Sequence, residues 1–217
     1  MRVDYLHKVY GIPQDKIDLL VMGGDESIIK YDNRDLIKNE ICSYHNIPTS
    51  NFLIVTGGKI DMNKNIHLLM KAVSDLKNVT LIIFGPVLHD AEKVIEKYKD
   101  NRNIYTIGWI ESQKAYDYFL AADLVVFPGT HSVLWEQAVA SGVPCVFKYW
   151  DGMDHVDVGG NCKFLYQDDS DEICEVLNNI IQNKSEYTAM KNVALSKGIN
   201  TFSYKEIAKR AIEHVSF

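Results

Sequence analysis

The chain has 217 residues, of which 47% are hydrophobic and 24% charged, and this balance excludes a disordered or low-complexity protein. Its formal net charge of −6 argues against a nucleic-acid-coating role, which needs a basic face to neutralise phosphates. The four cysteines form no CxxC pair, and no signal peptide or membrane-spanning run is visible, so we expect a cytoplasmic protein with reduced thiols.

Strand-like and helix-like segments alternate along most of the chain. Short apolar runs predict six strands, at 52–56, 80–84, 104–107, 124–127, 144–147 and 163–166. Apolar residues at helical spacing predict helices at 66–76, 90–99, 112–120, 133–141, 171–182, 185–196 and 204–215. Apolar strands separated by helices indicate a parallel sheet covered on both faces. Right-handed crossovers then predict an α/β fold, a doubly wound, Rossmann-like sheet followed by C-terminal helices.

Residues 1–40 break this alternation. They contain a strand-like stretch at 17–22, a glycine turn at 23–25 and a charged stretch at 31–35. We interpret residues 1–40 as a connector or remnant of a preceding domain, because the segment is too short for a core of its own. Residues 41–217 are then one Rossmann-like domain.

The loop after the first predicted strand offers an anion site. Gly58 lets the backbone approach a ligand closely, and Lys59 and Lys64 bracket the loop before a helix begins. Together these groups would hold a diphosphate. The alternative is a glycine turn with two solvated lysines. The loop has neither the GxGxxG nor the Walker A pattern, which disfavours a dinucleotide oxidoreductase or a P-loop ATPase.

The loop after the fourth predicted strand is small and polar and opens a helix. Thr130, Ser132 and the amides around them suit a second anion contact, and Glu136 would accept hydrogen bonds from a ribose diol. The alternative makes Ser132 a helix cap and Glu136 a favourable charge near the helix N-terminus.

A third loop, at 150–161, carries three aspartates and His155. No second histidine is close to it in sequence, so we predict no metal site. His131 and His155 are also candidates for acid–base work or for bonding a sugar hydroxyl, and the alternative for each is a structural histidine with ordinary hydrogen bonds.

Taken in order, these segments resemble the C-terminal domain of the group 1 family of GT-B-fold glycosyltransferases over nearly the whole chain. Gly58-Lys59 and Lys64-Asn65 are similar to the family's Gly-Arg…Lys-Gly signature, with lysine in place of arginine. The other similar segments are 81–85, 103–110, 122–128, 136–144 and 201–208.

The resemblance implies that the domain binds a nucleotide-sugar donor, a UDP- or GDP-sugar, with no tightly bound cofactor and no metal. The donor-site positions that it implies are Gly58, Lys59, Lys64, Gly85, Trp109, Ile110, Thr130, Ser132, Val133 and Glu136. Lys59 and Lys64 would stabilise the leaving diphosphate, a form of electrostatic catalysis that needs no covalent nucleophile. Surface polysaccharide or glycoconjugate synthesis is the role that the family suggests.

Two departures from the family pattern bear on function. The family's first glutamate, eight residues before Glu136, is replaced by Pro128, and His131 is the candidate to fill its place as a third catalytic residue. The N-terminal Rossmann domain that binds the acceptor is also missing, so we expect a partner domain or subunit and an inactive isolated chain.

Other functions stay open at this point. One is a non-catalytic nucleotide-sugar-binding subunit or regulatory module, and another is a related GT-B sugar-nucleotide epimerase. We expect no nucleic-acid partner, and a peripheral contact of the full enzyme with the inner face of a membrane is left open.

Overall fold

The computed structural model describes residues 2–17 and 19–213, and a sheet of six parallel strands forms its centre. The strands are β1 (Phe52–Gly57), β2 (Val79–Phe84), β3 (Ile104–Gly108), β4 (Leu124–Phe127), β5 (Cys145–Lys148) and β6 (Cys162–Leu165). Their order across the sheet is β3-β2-β1-β4-β5-β6. This is the strand order of the doubly wound Rossmann sheet, so the predicted fold class is confirmed.

The strand order reverses between β1 and β4, which are neighbours in the sheet. Ile54 pairs with Leu124 and Val55 with Val125 along this contact. In open α/β sheets, ligands bind beyond the carboxyl ends of the strands at such a reversal. The loops that follow β1 and β4 are therefore the first place to look for a site.

Helices cover both faces of the sheet. The α-helices of the described chain are α1 (Arg2–Tyr10), α2 (Arg34–Tyr44), α3 (Ile66–Ser74), α4 (His89–Ile95), α5 (Lys114–Ala121), α6 (Leu134–Ala140), α7 (Ser170–Gln182), α8 (Lys184–Val193), α9 (Ile199–Thr201) and α10 (Tyr204–Glu213). We predicted that the last helix reaches residue 215, and residues 214 and 215 lie outside the described chain. Among the described residues, no helix combines the length and apolar character needed to span a bilayer.

Alternate residues of β1 pack into two separate apolar layers. Leu53 and Val55 lie in the layer formed with α2, α5 and α6, whereas Ile54 lies in the layer formed with α3, α4 and α7. All three side chains are fully buried. Because helices cover both faces, the strand has a continuous apolar sequence instead of an alternating one.

The segment before the sheet is packed onto the domain. Helix α2 crosses residue 40, the predicted domain boundary, and its Ile37 and Cys42 are buried. Gly24 forms an isolated bridge with Ser203 near the end of the chain. The strand predicted at 17–22 is wrong, because the described residues of this stretch form none, and residue 18 is not described. The boundary at residue 40 stays a prediction.

Candidate functional site

Glycines let the loops after β1 and β2 touch. Gly58, directly after β1, has a φ of 105°, and its amide donates to the Phe84 carbonyl oxygen over 3.0 Å. Gly85, directly after β2, has a φ of 117°, and a β-carbon there would lie 1.9 Å from the Gly58 carbonyl oxygen. Only glycine permits this approach. Gly85 is buried and supports the loop, whereas Gly58 is partly exposed and able to meet a ligand.

Two polar side chains shape the end of the loop after β1. Asp61 Oδ1 accepts a hydrogen bond from the Lys64 amide over 3.1 Å. Asn65, which precedes α3, has left-handed angles of φ 54° and ψ 19°. Its Nδ2 donates to the Pro128 carbonyl oxygen over 3.2 Å and to Asp168 Oδ1 over 2.7 Å. Asparagine tolerates this conformation better than most residues, which explains how it replaces the glycine of the signature.

Lys64 joins the loop after β1 to the loop after β4. Its Nζ donates to the carbonyl oxygens of Thr130 over 2.7 Å and His131 over 3.3 Å, and the Thr130 amide donates back to the Asn63 carbonyl over 3.0 Å. An ammonium group has three protons, so one stays available to an anion. Burial lowers the pKa of Lys64, and the opposing effect of nearby Asp61 is smaller.

Further donors lie in the same two loops. Lys59 is exposed and, within the described chain, makes no hydrogen bond or ion pair. The amides of Ser132 and Val133 also donate no hydrogen bond to a described residue. Helix α6 begins after Val133 and has no side-chain cap, so the alternative interpretation of Ser132 as a helix cap is wrong. The structure thus brings two lysines and two free amides to neighbouring loops, an arrangement that suits an anion.

A buried carboxylate lies between two histidines near the start of α6. Glu136 Oε1 is 2.9 Å from His131 Nε2 and 3.0 Å from His155 Nε2. Glu136 is 3% exposed, and its Oε2 has no hydrogen-bond partner among the described residues. Burial raises the pKa of Glu136, but hydrogen bonds from the two histidines outweigh it, so the net pKa lies below the ordinary value.

His155 comes from the loop between β5 and β6. The Trp150 indole N–H donates to the Gly129 carbonyl oxygen over 3.3 Å, which ties this loop to the one after β4. Asp157 Oδ1 accepts the amides of the two glycines that follow, so this aspartate shapes a turn. The sequence singled out three aspartates and His155 in this loop. Of these four side chains, only His155 forms a hydrogen bond with Glu136 within the described chain.

The histidines and the glutamate line a cavity of about 370 Å³. Its other walls are Ser132 and Val133, Met153 of the β5–β6 loop and residues 19–22 of the N-terminal segment. Residues 19–22 contribute an apolar wall, of which Leu20 is 63% exposed. The cavity therefore combines one polar wall at the end of the sheet with one apolar wall.

Trp109 and Ile110 lie in a different place. They follow β3 and line a groove of about 720 Å³ that also includes Tyr44 and Tyr105. Trp109 is 71% exposed. The structure does not bring these two residues into the cavity beside Glu136, although all of these loops belong to the carboxyl edge of the sheet.

The sequence model of the glycosyl transferases of group 1 matches residues 37–197. The chain belongs to this family. The resemblance inferred from the ordered motifs is thereby confirmed. No curated protein sequence matches the chain significantly.

Solved structures share the fold of this group 1 chain. Alr3699/HepE from Anabaena, in complex with UDP and glucose, is 17% identical, with a TM-score of 0.74 over 95% of this chain and 58% of that one. WaaG, a glycosyltransferase involved in lipopolysaccharide biosynthesis, is 16% identical, with a TM-score of 0.76 over 99% of this chain and 60% of that one. The present chain thus spans less than two thirds of either protein.

A third structure has the extent of a single domain. The C-terminal domain of LpcC, a glycosyl transferase group 1 family protein from Francisella tularensis, is 17% identical, with a TM-score of 0.65 over 87% of this chain and 99% of that one. At these identities the likeness establishes the fold alone. It places the described residues in the C-terminal half of a GT-B architecture.

Sequence reasoning missed the cluster around Glu136. The interpretation of the third loop rested on the absence of a second histidine nearby in sequence. The fold supplies that histidine from the loop after β4, and the rings of His131 and His155 are 6.2 Å apart. The signal was present in the strand order, because β4 and β5 are adjacent and their following loops meet at one edge.

Proposed function

We propose that this chain is the half of a group 1 glycosyltransferase that binds the nucleotide-sugar donor. The observation that carries the proposal is the junction of the loops after β1 and β4, where Lys64 Nζ donates to the Thr130 carbonyl oxygen over 2.7 Å. The junction lies where the strand order reverses, which is where such sheets bind ligands. Support comes from Alr3699/HepE, whose structures contain UDP and UDP-glucose.

The diphosphate of the donor is the group that this junction would hold. When the bond between the sugar and the diphosphate breaks, the electron pair stays on the departing phosphate oxygen. Lys59, the spare proton of Lys64 and the amides of Ser132 and Val133 would face that growing negative charge. Donors that are already in place stabilise such a transition state without reorganisation.

The remaining donor contacts are assigned from the family pattern. Glu136 would accept a ribose hydroxyl through Oε2, the oxygen that the histidines leave free. Trp109 and Ile110 would lie against the nucleobase, for which the exposed indole of Trp109 offers a flat apolar face. His131, at the position of the missing first glutamate, would bond a hydroxyl of the transferred sugar.

The acceptor would be bound elsewhere in the full enzyme. The chain spans 58% of Alr3699/HepE and 60% of WaaG, so an N-terminal domain or a separate subunit would supply the acceptor site. The apolar wall at 19–22 is a surface that such a domain would cover. Surface-glycan synthesis in the cytoplasm, with peripheral contact to the membrane, is the role we propose for the complete enzyme.

Calorimetry with UDP, GDP and ADP tests the proposal. We expect the chain to bind one of these nucleotides, and Lys59→Ala to weaken the binding about tenfold, the effect of losing one charge-assisted contact of about 1.4 kcal/mol. Lys77→Ala, which removes an exposed lysine from the turn before β2, is the matched control and should bind like the parent chain.

Lys64→Ala should weaken binding more than Lys59→Ala, because it removes a cation and also frees the loop after β4. Circular dichroism of each variant shows whether the fold is retained. Absence of binding by the parent chain, or equal binding by all three lysine variants, would overturn the assignment of the donor site.

A further inference from the structure

Three nitrogen and oxygen donors converge beside the proposed diphosphate site. Of the His, Cys, Asp and Glu side chains in the described chain, one group of three places its ligand atoms within 4.8 Å of one another, namely His131, Glu136 and His155. The three residues come from two loops and a helix that follow two adjacent strands. Ordinary hydrogen bonding explains part of this arrangement, because both imidazoles lie against the same carboxylate oxygen.

Among the described residues, Glu136 has no permanently charged partner. The Glu136 side chain is 4% exposed, and within the described residues its only ion-pair partners are the two histidines, which are charged only when protonated. A buried carboxylate without a fixed positive partner is costly. A divalent cation between the three side chains would provide that partner.

The donor set and its spacing fit a transition metal. Two imidazole nitrogens and one carboxylate oxygen form the three-residue ligand set of many catalytic zinc sites, in which a fourth position stays open. Metal–donor bonds of about 2.0–2.2 Å at tetrahedral angles place neighbouring donors about 3.4 Å apart. The two histidine nitrogens are 2.9 and 3.0 Å from Glu136 Oε1, and no two of the three ligand atoms are more than 4.8 Å apart, so a rearrangement of these side chains alone would admit the ion.

The surroundings leave an open coordination position. All three residues line the cavity of about 370 Å³, so an ion held by them would face a space large enough for water or an oxygen-bearing ligand. We propose that His131, Glu136 and His155 form a binding site for a divalent transition-metal ion of the Zn²⁺ class. This site goes beyond the proposed donor-binding function, and His155 has no part in that function.

Zinc titration of the untagged chain, after treatment with a chelator, tests the proposal. We expect one Zn²⁺ per chain by calorimetry, and visible absorption bands when Co²⁺ is bound in its place. His155→Gln and His131→Gln should each weaken Zn²⁺ binding by about 100-fold or more and abolish the Co²⁺ bands. His155→Cys keeps a zinc-binding side chain and should recover part of the affinity.

Two control variants exclude other zinc ligands. His67→Gln removes a half-buried histidine of α3, and Cys174→Ser removes the cysteine that is not fully buried. Both should bind Zn²⁺ like the parent chain. The proposal is overturned if the parent chain takes up no stoichiometric Zn²⁺, or if His155→Gln binds it as tightly as the parent.

The failure of this proposal is separable from the failure of the donor-site proposal. His155→Gln should lose Zn²⁺ and still bind the nucleotide, whereas Lys59→Ala should lose nucleotide affinity and still bind Zn²⁺. Circular dichroism confirms that each variant is folded. If His155→Gln does not fold, the Zn²⁺ affinities of His131→Gln and His155→Cys are compared with that of the parent chain instead. If both variants bind Zn²⁺ as tightly as the parent, the proposed site is wrong.

Discussion

Lys64 Nζ donates to the Thr130 carbonyl oxygen over 2.7 Å and so joins two loops whose residues are 66 positions apart in sequence. The contact crosses from the end of β1 to the end of β4, the two strands between which the sheet order reverses. The contact gives Lys64 a structural role, and the proposed donor site would give it an electrostatic one. The packing of Lys64 between the two loops partly buries it, and this burial lowers its pKa. The third ammonium proton makes no contact with these loops and stays available to a ligand.

Because Lys64 holds the two loops together, we expect its replacement to destabilise the fold. Lys64→Met keeps most of the side chain's length but removes both hydrogen bonds to the loop after β4. We expect the free energy of unfolding to fall by about 1.5–3 kcal/mol, the net contribution of a hydrogen bond to a charged group. Urea denaturation measures this. Lys77→Met should leave the midpoint unchanged, and an equally stable Lys64→Met would show that the loops are held together by other contacts.

The close approach of Gly85 to Gly58 predicts an intolerant position. Gly85→Ala adds a β-carbon 1.9 Å from the Gly58 carbonyl oxygen at a φ of 117°, so the loop after β1 must move. We expect a loss of about 3 kcal/mol or more, as for other clashes in packed cores. Thermal unfolding and nucleotide binding should both be impaired.

Gly108 is the matched control for Gly85. It also has a positive φ, of 76°, but a β-carbon there meets no atom within 4 Å. Gly108→Ala should therefore cost only the backbone strain of about 1–2 kcal/mol. Equal losses at the two positions would mean that strain, and not the contact with Gly58, decides the choice of glycine.

The fold was predictable from the sequence because the signal is repeated in every strand. The first four strands, such as Leu124–Phe127, each have a short apolar run that stops at glycine or proline, and six apolar runs interleaved with helices leave few alternatives. Helix α2 was missed because most of it was assigned to the connector before residue 40, and only its Ile37 and Cys42 are buried. Tertiary packing, more than local periodicity, stabilises that helix.

The sequence indicated which loops would form the candidate site, but not which side chains would contact each other there. Gly58, Lys59 and Lys64 could be predicted as candidates because ligands bind beyond the carboxyl ends of parallel strands. The partnership of Glu136 with His155 was not found, because it spans two loops whose approach depends on side-chain hydrogen bonds such as Trp150 to Gly129. No spacing rule relates such residues along the sequence.

The left-handed backbone at Asn65 predicts a ranking of substitutions. Asn65→Gly keeps access to φ 54° but loses the side-chain hydrogen bonds to Pro128 and Asp168, so we expect a loss of about 1 kcal/mol. Asn65→Ala loses the same bonds and adds strain of about 1–2 kcal/mol. Chemical denaturation should rank the parent chain above Asn65→Gly and Asn65→Ala last. Reversal of the two variants would contradict the conformation of Asn65.

Burial of two histidines predicts how stability depends on pH. Burial lowers the pKa of His45, which contacts the Tyr118 hydroxyl over 3.1 Å, and also lowers the pKa of His67, both from an ordinary value of 6.5. Just below pH 6.5 the unfolded chain therefore binds more protons than the folded one. The contribution of these histidines to the free energy of unfolding should rise with pH through that window and become constant above it.

Urea denaturation between pH 5 and pH 7.5 isolates the part of this rise that belongs to His45. His45→Gln cannot take up a proton, so its free energy of unfolding should rise less steeply below pH 6.5 than that of the parent chain. Part of the slope should remain because His67 is unchanged. His89→Gln, on the exposed first turn of α4, should keep the parent's slope. A His45→Gln curve parallel to the parent's would show that His45 is as solvated in the folded chain as in the unfolded one.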